Sequence, residues 1–383
     1  MEMYDNLSSP WMASASLSKP LSEYPRPRLV RKSWLCLNGL WDYAIMPAQY
    51  ASDSGPELEP KPKTWDGQIL VPFAIETRLS TVGKALLPEQ VLWYKKSVHI
   101  PLSWAGSRIM LNFEAVDYAC ALYVNSVLVG THKGGYLPFS FELPEAEIEA
   151  KSGQPQDYEI ILVVKDPSDY GLQQRGKQSL SPKGIYYRAT SGIWQTVWME
   201  ALPKENSISG FFSSINSELS GARLVAFSEK PGRLLIKIAM PDNSFCELQG
   251  NSGEYLDFAP DFPRLWSGQD PWLYHCHLYL LDADGKSVDE AASYFAIRSI
   301  ELGFANGGMP KHALAGSHGK RPVFLLNKKA IFLNAPLDQA YWPESGLTAP
   351  SDEAIVFDIE SMKKLGFNGL RKHVKIESRR FYW

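Results

Sequence analysis

From Trp34 to Pro203 the chain alternates apolar and polar positions in short runs broken by turn residues, the period-two pattern of strands buried on one face. The stretch Trp34-Leu-Cys-Leu-Asn-Gly-Leu-Trp-Asp-Tyr43 predicts a hairpin about Asn38-Gly39, because both residues tolerate positive φ. Cys120 to Gly130 repeats the pattern with Asn125-Ser126 at the tip, and Leu92–Ile100, Ile109–Phe113 and Tyr158–Val164 supply further strands. Helical periodicity is nearly absent, so the expectation is an antiparallel sandwich whose sheets bury alternating residues against each other. A second all-β unit is expected from about Asn206 to Gly303, with Arg233–Ala239 and Leu273–Leu280 as its clearest strands and Asp282-Ala-Asp-Gly285 as a turn. Its size suits an immunoglobulin-like sandwich. A glycine-rich connector is expected from Asn306 to Gly319.

The pattern changes after Lys320. Val323 to Leu333 reads as a hairpin whose second strand, Ala330 to Leu333, leads into a loop with Asp338, Gln339, Tyr341 and Trp342. Ser351 can cap a helix, Asp352 and Glu353 suit its positive end, Lys363 and Lys364 its negative end, and Gly366 stops it. Ile355, Ile359, Met362 and Leu365 give that helix an apolar stripe. Phe367 to His373 is then another strand, and strand, helix, strand is the first unit of a parallel α/β fold.

Charge and composition narrow the function classes. The 383 residues carry 39 basic and 42 acidic side chains, a formal charge of −3, so no global field favours nucleic acid or an anionic membrane. The basic, aromatic run from Leu365 to Trp383 has no second basic stripe to support a nucleic-acid patch. Cys36, Cys120, Cys246 and Cys276 lie far apart without metal or disulfide spacing and are expected to be buried free thiols. No run approaches the ~18 apolar residues of a membrane helix, and the first residues lack a basic start followed by an apolar core. The expected location is cytoplasmic. His275 and His277 alternate within a strand, and neither a metal-spaced histidine pair nor a phosphate loop is present, so no cofactor is expected.

Two stretches carry finer chemistry. In Thr190-Ser-Gly-Ile-Trp-Gln-Thr-Val-Trp-Met-Glu200, a strand would put Ile193, Gln195, Val197 and Met199 on one face and Trp194, Thr196 and Trp198 on the other. Apolar groups on both faces imply a strand covered on both sides, so these tryptophans read as structural rather than as sugar platforms. The Arg175-Gly-Lys-Gln178 loop reads equally as a donor set for sugar hydroxyls or a uronic carboxylate, and as a solvated or interdomain loop.

Trp34–Tyr43, Val124–Phe141, Arg175–Gln178, Thr190–Glu200, Trp266–Tyr274 and above all Asp338–Lys375 together resemble glycoside hydrolase family 2, the family of β-galactosidases, β-glucuronidases and β-mannosidases. The resemblance implies a mainly β chain. A jelly-roll sugar-binding domain would span residues 1–204, an immunoglobulin-like sandwich 205–304, and the start of a (β/α)8 catalytic barrel 305–383. Active sites of such barrels lie at the carboxyl ends of the strands. The resemblance thus implies substrate-binding roles for Asp338, Gln339, Trp342, Arg371 and His373, with Arg371 supporting the catalytic carboxylates. The histidine falls one residue earlier than in the Arg-x-Ser-His-Tyr-Pro of many relatives.

Retaining glycosidases need two carboxyl groups about 5–5.5 Å apart. In the family both are glutamates from the fourth and seventh barrel strands, and a complete barrel takes about 250 residues. Only residues 321–383 follow Lys320, and Glu377 matches neither position, so no catalytic residue is assigned. The expected function is the amino-terminal part of a retaining exo-glycosidase acting on terminal β-linked sugars and inactive alone. The alternatives are a non-catalytic carbohydrate-binding protein and a β-sandwich adhesion module. The expected partner is a carbohydrate, with no nucleic acid and no membrane.

Overall fold

The computed structural model describes residues 7–13, 15, 18–51, 53–144, 157–304 and 322–383. The expected connector from Asn306 to Gly319 lies outside the described residues.

The first sandwich pairs a six-stranded with a four-stranded antiparallel sheet. In spatial order the larger runs Gly67–Val71, Gly39–Pro47, Gln90–His99, Asp157–Lys165, Ala119–Val124 and Val127–Lys133. The smaller runs Trp34–Cys36, Val197–Leu202, Arg108–Phe113 and Phe139–Glu142. Their facing residues, including Trp41, Tyr94, Leu111, Phe113, Leu162, Val197 and Met199, form one core. A second layer of packing, around Trp93, Val91 and Val163, covers the outer face of the larger sheet. That cover explains why the central strand Asp157–Lys165 is apolar on both faces instead of alternating.

Two local expectations change here. Asn38-Gly39 is not a hairpin tip: Trp34–Cys36 pairs with Val197–Leu202 in one sheet, whereas Gly39–Pro47 pairs in the other. The buried Asn38 side chain makes the crossing possible, donating to Pro20 O (2.9 Å) and Leu21 O (3.0 Å) and accepting from Val197 N (3.0 Å). Gly39 at φ 107° supplies the change of direction. Asn125-Ser126, in contrast, is the expected tip, with both residues at positive φ.

The second sandwich has three strands, Ile208–Ile215, Ala222–Ser228 and Tyr255–Phe258, facing four, Phe245–Asn251, Arg233–Ala239, Tyr274–Leu281 and Ser287–Phe295. Leu224, Ile236, Tyr274, Leu278 and Phe295 lie in its separate core. Tyr274–Leu281 alternates as its sequence requires, with Tyr274 and Cys276 buried and His275 and His277 exposed. The turn at Asp282–Gly285 forms as expected, with Gly285 at φ 81°. All four cysteines are free thiols; Cys120 and Cys276 are buried, and Cys36 and Cys246 are half-buried. The two sandwiches are tied together by Arg31, whose guanidinium is held by Asp289 (2.7 Å) and by Ile208 O (2.5 Å).

Beyond residue 321, Pro322–Leu326 and Lys329–Ile331 form a hairpin with Asn327 and Lys328 at positive φ, and Ile300–Phe304 pairs alongside. This hairpin is antiparallel throughout, so the strand that leads into the helix is not Ala330 to Leu333. It is Leu337–Asp338, which pairs in parallel with Arg371–Lys372. Of the expected strand from Phe367 to His373, only Arg371–Lys372 forms. Helix α1, Asp352–Lys364, joins the two parallel strands. Ser351 caps it by accepting from Ala354 N, and it closes with Gly366 at φ 89°. Phe367 N then donates to Met362 O and Gly366 N to Lys363 O, the paired bonds of a glycine-terminated helix. Of its expected apolar stripe, Ile355 and Met362 are half-buried while Ile359 and Leu365 are exposed; Val356 and Phe357, outside the stripe, are exposed too, and Ala354 is the helix's buried residue.

Candidate functional site

The parallel pair brings two oppositely charged residues into register, because Asp338 lies opposite Lys372. Lys372 Nζ donates to Asp338 Oδ2 at 2.7 Å and to Glu377 Oε1 at 2.5 Å. The ring of Phe381, from the short helix α2 (Arg379–Tyr382), lies 4.3 Å from the same ammonium. Lys375 adds a second cation to Glu377 at 3.1 Å. Its ammonium is buried and also donates to Ala340 O (3.1 Å) and Leu347 O (2.7 Å). Burial holds the Lys375 pKa below the usual lysine range, with the Glu377 charge opposing that shift. A buried ammonium on two carbonyls and a carboxylate is a strap. It fixes the Ala340–Leu347 loop over the carboxyl end of Leu337–Asp338.

Each residue expected at this site has a definite place. Asp338 ends its strand; its Oδ1 accepts from Ala340 N at 2.8 Å while Oδ2 takes the lysine. Gln339 is half-buried, and its Oε1 is a buried acceptor with no hydrogen-bond partner among the described residues. Trp342 is buried and exchanges backbone hydrogen bonds with Gly346 (2.8 and 2.9 Å), closing a tight loop. Arg371 is exposed, and His373 is half-buried with its backbone N–H on Asp338 O at 3.0 Å. The structure therefore brings Asp338 together with Lys372, Lys375 and Glu377, while Arg371 stays in solvent. Strand alternation turns Lys372 to the face away from Arg371, and that face carries the carboxylates. The parallel register of Asp338 and Lys372 is the signal that would have exposed the pair; it depends on knowing which short segment is the first strand.

The first sandwich covers this corner. Gly176, at φ 58°, lies so close to Val374 that a Cβ there would sit 2.4 Å from the Val374 carbonyl oxygen. Tyr187 stacks on Tyr341 with ring centroids 4.2 Å apart and planes 13° from parallel. Burial pushes the Tyr341 phenol up to about 12. Arg175, Lys177 and Arg188 line the same contact. The Arg175–Gln178 loop is thus an interdomain contact at the carboxyl ends of the parallel strands.

The tryptophans behave as their pattern predicts, buried and structural. Val197–Leu202 is a strand, but the alternation breaks at Trp194–Thr196, with only Gly192–Ile193 paired before it. Ile193, Val197 and Met199 face the sandwich core. Trp194 turns the other way, packs against Leu347 and donates to Gly135 O at 2.8 Å. Trp198 donates to Glu114.

Behind the covering loop lies a buried acidic group that the sequence pattern did not reveal. Glu76, Asp117 and Asp166 are buried, and among the described residues no ion pair reaches them. Ser191 bridges two of them, its N–H on Glu76 Oε2 (3.0 Å) and its hydroxyl on Asp166 Oδ2 (2.6 Å). Gln178 Nε2 donates to Asp117 Oδ2 (2.9 Å) and to the Tyr136 hydroxyl (3.1 Å). Burial raises all three carboxyl pKa values, that of Glu76 to about 8. A network of this kind fixes a loop and does not expose an acid to a substrate.

Comparison with known proteins agrees with this architecture. Residues 35–155 match the model of the glycosyl hydrolases family 2 sugar binding domain, and residues 234–298 match that of glycosyl hydrolases family 2. A beta-galactosidase of Thermoanaerobacter pseudethanolicus is 25% identical over 229 residues, covering 55% of this chain and 29% of the relative. A beta-glucuronidase of Paenibacillus borealis is 23% identical over 301 residues, covering 73% of this chain and 47% of the relative. The crystal structure of Ruminococcus gnavus beta-glucuronidase shares the fold, with TM-score 0.70 at 17% identity, over 94% of this chain and 58% of that one. The same enzyme in complex with D-glucuronic acid gives TM-score 0.68. The chain spans less than half the length of these two sequence relatives. By these matches it resembles glycoside hydrolase family 2 over both sandwiches.

Proposed function

We propose that this chain, a family 2 relative through both its sandwiches, is the substrate-supporting amino-terminal part of a retaining exo-glycosidase acting on terminal β-linked sugars. The observation that carries the reading is the Asp338, Lys372, Lys375 and Glu377 cluster at the carboxyl ends of two parallel strands joined by a capped helix. A lectin or an adhesin has no use for that unit. In a barrel it faces the cleft where glycosides react.

The roles follow from the chemistry present. Asp338, held by Lys372, accepts hydrogen bonds from hydroxyls of the terminal sugar, and the unpartnered acceptor of Gln339 takes another. Glu377 and Lys375 position that pair from behind. Arg371, exposed on the second parallel strand, reaches toward the groups that cleave the bond. Asp338 and Glu377 are both held on the Lys372 ammonium, Glu377 on Lys375 as well, and neither is assigned a role in retaining hydrolysis, which requires two carboxyl groups about 5–5.5 Å apart, one to protonate the leaving oxygen and one to attack the anomeric carbon. Those two belong to later barrel strands, and the exposed apolar side chains of α1, Val356, Phe357 and Ile359, are surface against which later barrel elements pack. The chain by itself therefore does not hydrolyse glycosides.

Asp338→Asn in a protein carrying the completed barrel tests the assignment. The expected result is a loss of at least tenfold in kcat/KM for nitrophenyl β-glycosides with the unfolding midpoint retained, on the order of one lost charge-assisted hydrogen bond. Unchanged kinetics removes Asp338 from the substrate site.

A further inference from the structure

The three-stranded sheet of the second sandwich ends in a bare edge. Its order is Ile208–Ile215, Ala222–Ser228, Tyr255–Phe258, and among the described residues no strand pairs with the outer side of Ile208–Ile215. In an antiparallel pair the residues alternate between bonding to the neighbour and turning their N–H and C=O outward. Ile208 spends its backbone groups on Asp289 and Arg31, and the strand beyond it leaves a row of open donors and acceptors.

Long edges are ordinarily guarded by charge. Among the described residues, the other edge strands of seven residues or more all carry it. Val127–Lys133 has Lys133 and Phe245–Asn251 has Glu247. Ser287–Phe295 has Asp289 and Glu290, and its outer side is taken by Val30, which exchanges backbone bonds with Ala292 (2.7 and 2.8 Å). Ile208-Ser-Gly-Phe-Phe-Ser-Ser-Ile215 has neither a charge nor a proline. Its irregularity in register, between Ile208 and Gly210, falls at the end held by Arg31 and Asp289, so the rest of the edge is regular.

The side chains fit a second copy. Gly210, Phe212 and Ser214 share the outer face, and Phe212 is 56% exposed. Its ring meets that of Phe227, exposed on the neighbouring strand, edge to face with centroids 6.0 Å apart. Two such strands paired antiparallel about a two-fold axis at Phe212 set Gly210 opposite Ser214 and Phe212 opposite Phe212 of the second copy. Small residues then flank each ring, no like charges meet, and the two Phe212 and Phe227 pairs join into one four-ring surface. The barrel-entry hairpin leaves the other sheet: it follows Ser287–Phe295 in the chain and is held there by Asn327, which accepts from Ser299 N (3.1 Å). We infer that Ile208–Ile215 is an interface for a second copy of this chain, the two edges pairing antiparallel so that the three-stranded sheets become one six-stranded sheet. One strand and two exposed rings bury less than the ~800 Å2 per partner of a standard interface, so the dimer is weak and forms with rising concentration. The inference does not depend on the glycosidase reading.

Sedimentation equilibrium of this chain from about 1 to 300 µM tests it, beside hydrogen exchange at the two ends of that range. The expected result is a monomer–dimer equilibrium with Kd of about 10–100 µM and slower exchange in residues 209–215 at the higher concentration. Phe212→Lys sets two ammonium groups opposite each other across the axis, and Ser214→Lys charges the same edge; both positions are exposed. Each raises Kd at least tenfold with the unfolding midpoint retained. Val356→Lys, on the exposed surface of α1, leaves Kd unchanged. A monomer throughout the range, a dimer that either edge substitution leaves intact, a dimer dispersed by Val356→Lys, or exchange in residues 209–215 that ignores concentration overturns the inference.

Discussion

Replacing Glu76 by glutamine changes how the stability of the first sandwich depends on pH, by an amount the structure sets. Glu76 is buried, with its oxygens on Ser191 N (3.0 Å) and Leu86 N (3.5 Å), and its pKa is raised from 4.5 to about 8 chiefly by burial. The folded protein keeps the proton across this interval, whereas the unfolded chain releases it near 4.5. Stability from this group is therefore fully present below pH 4.5 and is lost progressively as pH rises through 8. At about 1.4 kcal/mol per pH unit, the loss comes to roughly 5 kcal/mol over the interval. Glutamine does not titrate. Whatever constant cost its extra N–H brings, the variant loses less stability than the parent as pH rises, and the gap between them closes or reverses toward pH 8. Asp117 and Asp166 also have raised pKa values; the Glu76 charge adds to the rise at Asp117, so its removal relieves Asp117 as well and shifts the comparison in the same direction. Urea unfolding between pH 5 and 8 reads the difference through the buried Trp41, Trp93, Trp194 and Trp198, all in the first sandwich. Parallel pH profiles for the two proteins would refute the reasoning, for they would mean that Glu76 is ionised in the fold.

Other outcomes follow from single contacts. Lys375→Met leaves Glu377 and the carbonyls of Ala340 and Leu347 without their buried cation, and should destabilise the Ala340–Leu347 loop by about 3 kcal/mol, read as faster proteolysis there. Gly176→Ala meets the Val374 carbonyl at 2.4 Å and demands φ 58° of a residue with a Cβ; it should cost more than about 1 kcal/mol and release the barrel corner, seen as increased hydrogen exchange in residues 371–376. Limited proteolysis of the parent should cut between Leu337 and Trp383 before it cuts either sandwich, because the two-residue parallel pair and the exposed face of α1 have the least packing.

How far the sequence carried depended on the range of the interaction. Strands such as Gln90–His99 and Asp157–Lys165, the helix with its Ser351 cap and Gly366 stop, and the tip at Asn125-Ser126 are written in local chemistry and read correctly. Asn38-Gly39 has the same local chemistry as a hairpin tip, yet the buried Asn38 amide binds segments near residues 20 and 197 and carries the chain between sheets. Leu337–Asp338 is too short to show any period, so the preceding hairpin took its place in the reading. Asp338 was found by family likeness. Its lysine partner was not, because that pairing arises only from the parallel register. The acidic group of Glu76, Asp117 and Asp166 gathers residues distant in sequence, and no local pattern announces it.

The central claim is that this chain supports a substrate whose cleavage is performed by carboxyl groups on later barrel strands. Hydrolysis of nitrophenyl β-galactoside, β-glucuronide and β-mannoside, measured side by side for the purified chain and for a protein extended through a complete barrel, tests it most directly. The account predicts no release of nitrophenol by the chain above buffer and turnover of at least one substrate by the extended protein. Turnover by residues 1–383 alone, surviving controls for contaminating enzyme, would contradict it, as would an extended protein that binds these sugars and cleaves none.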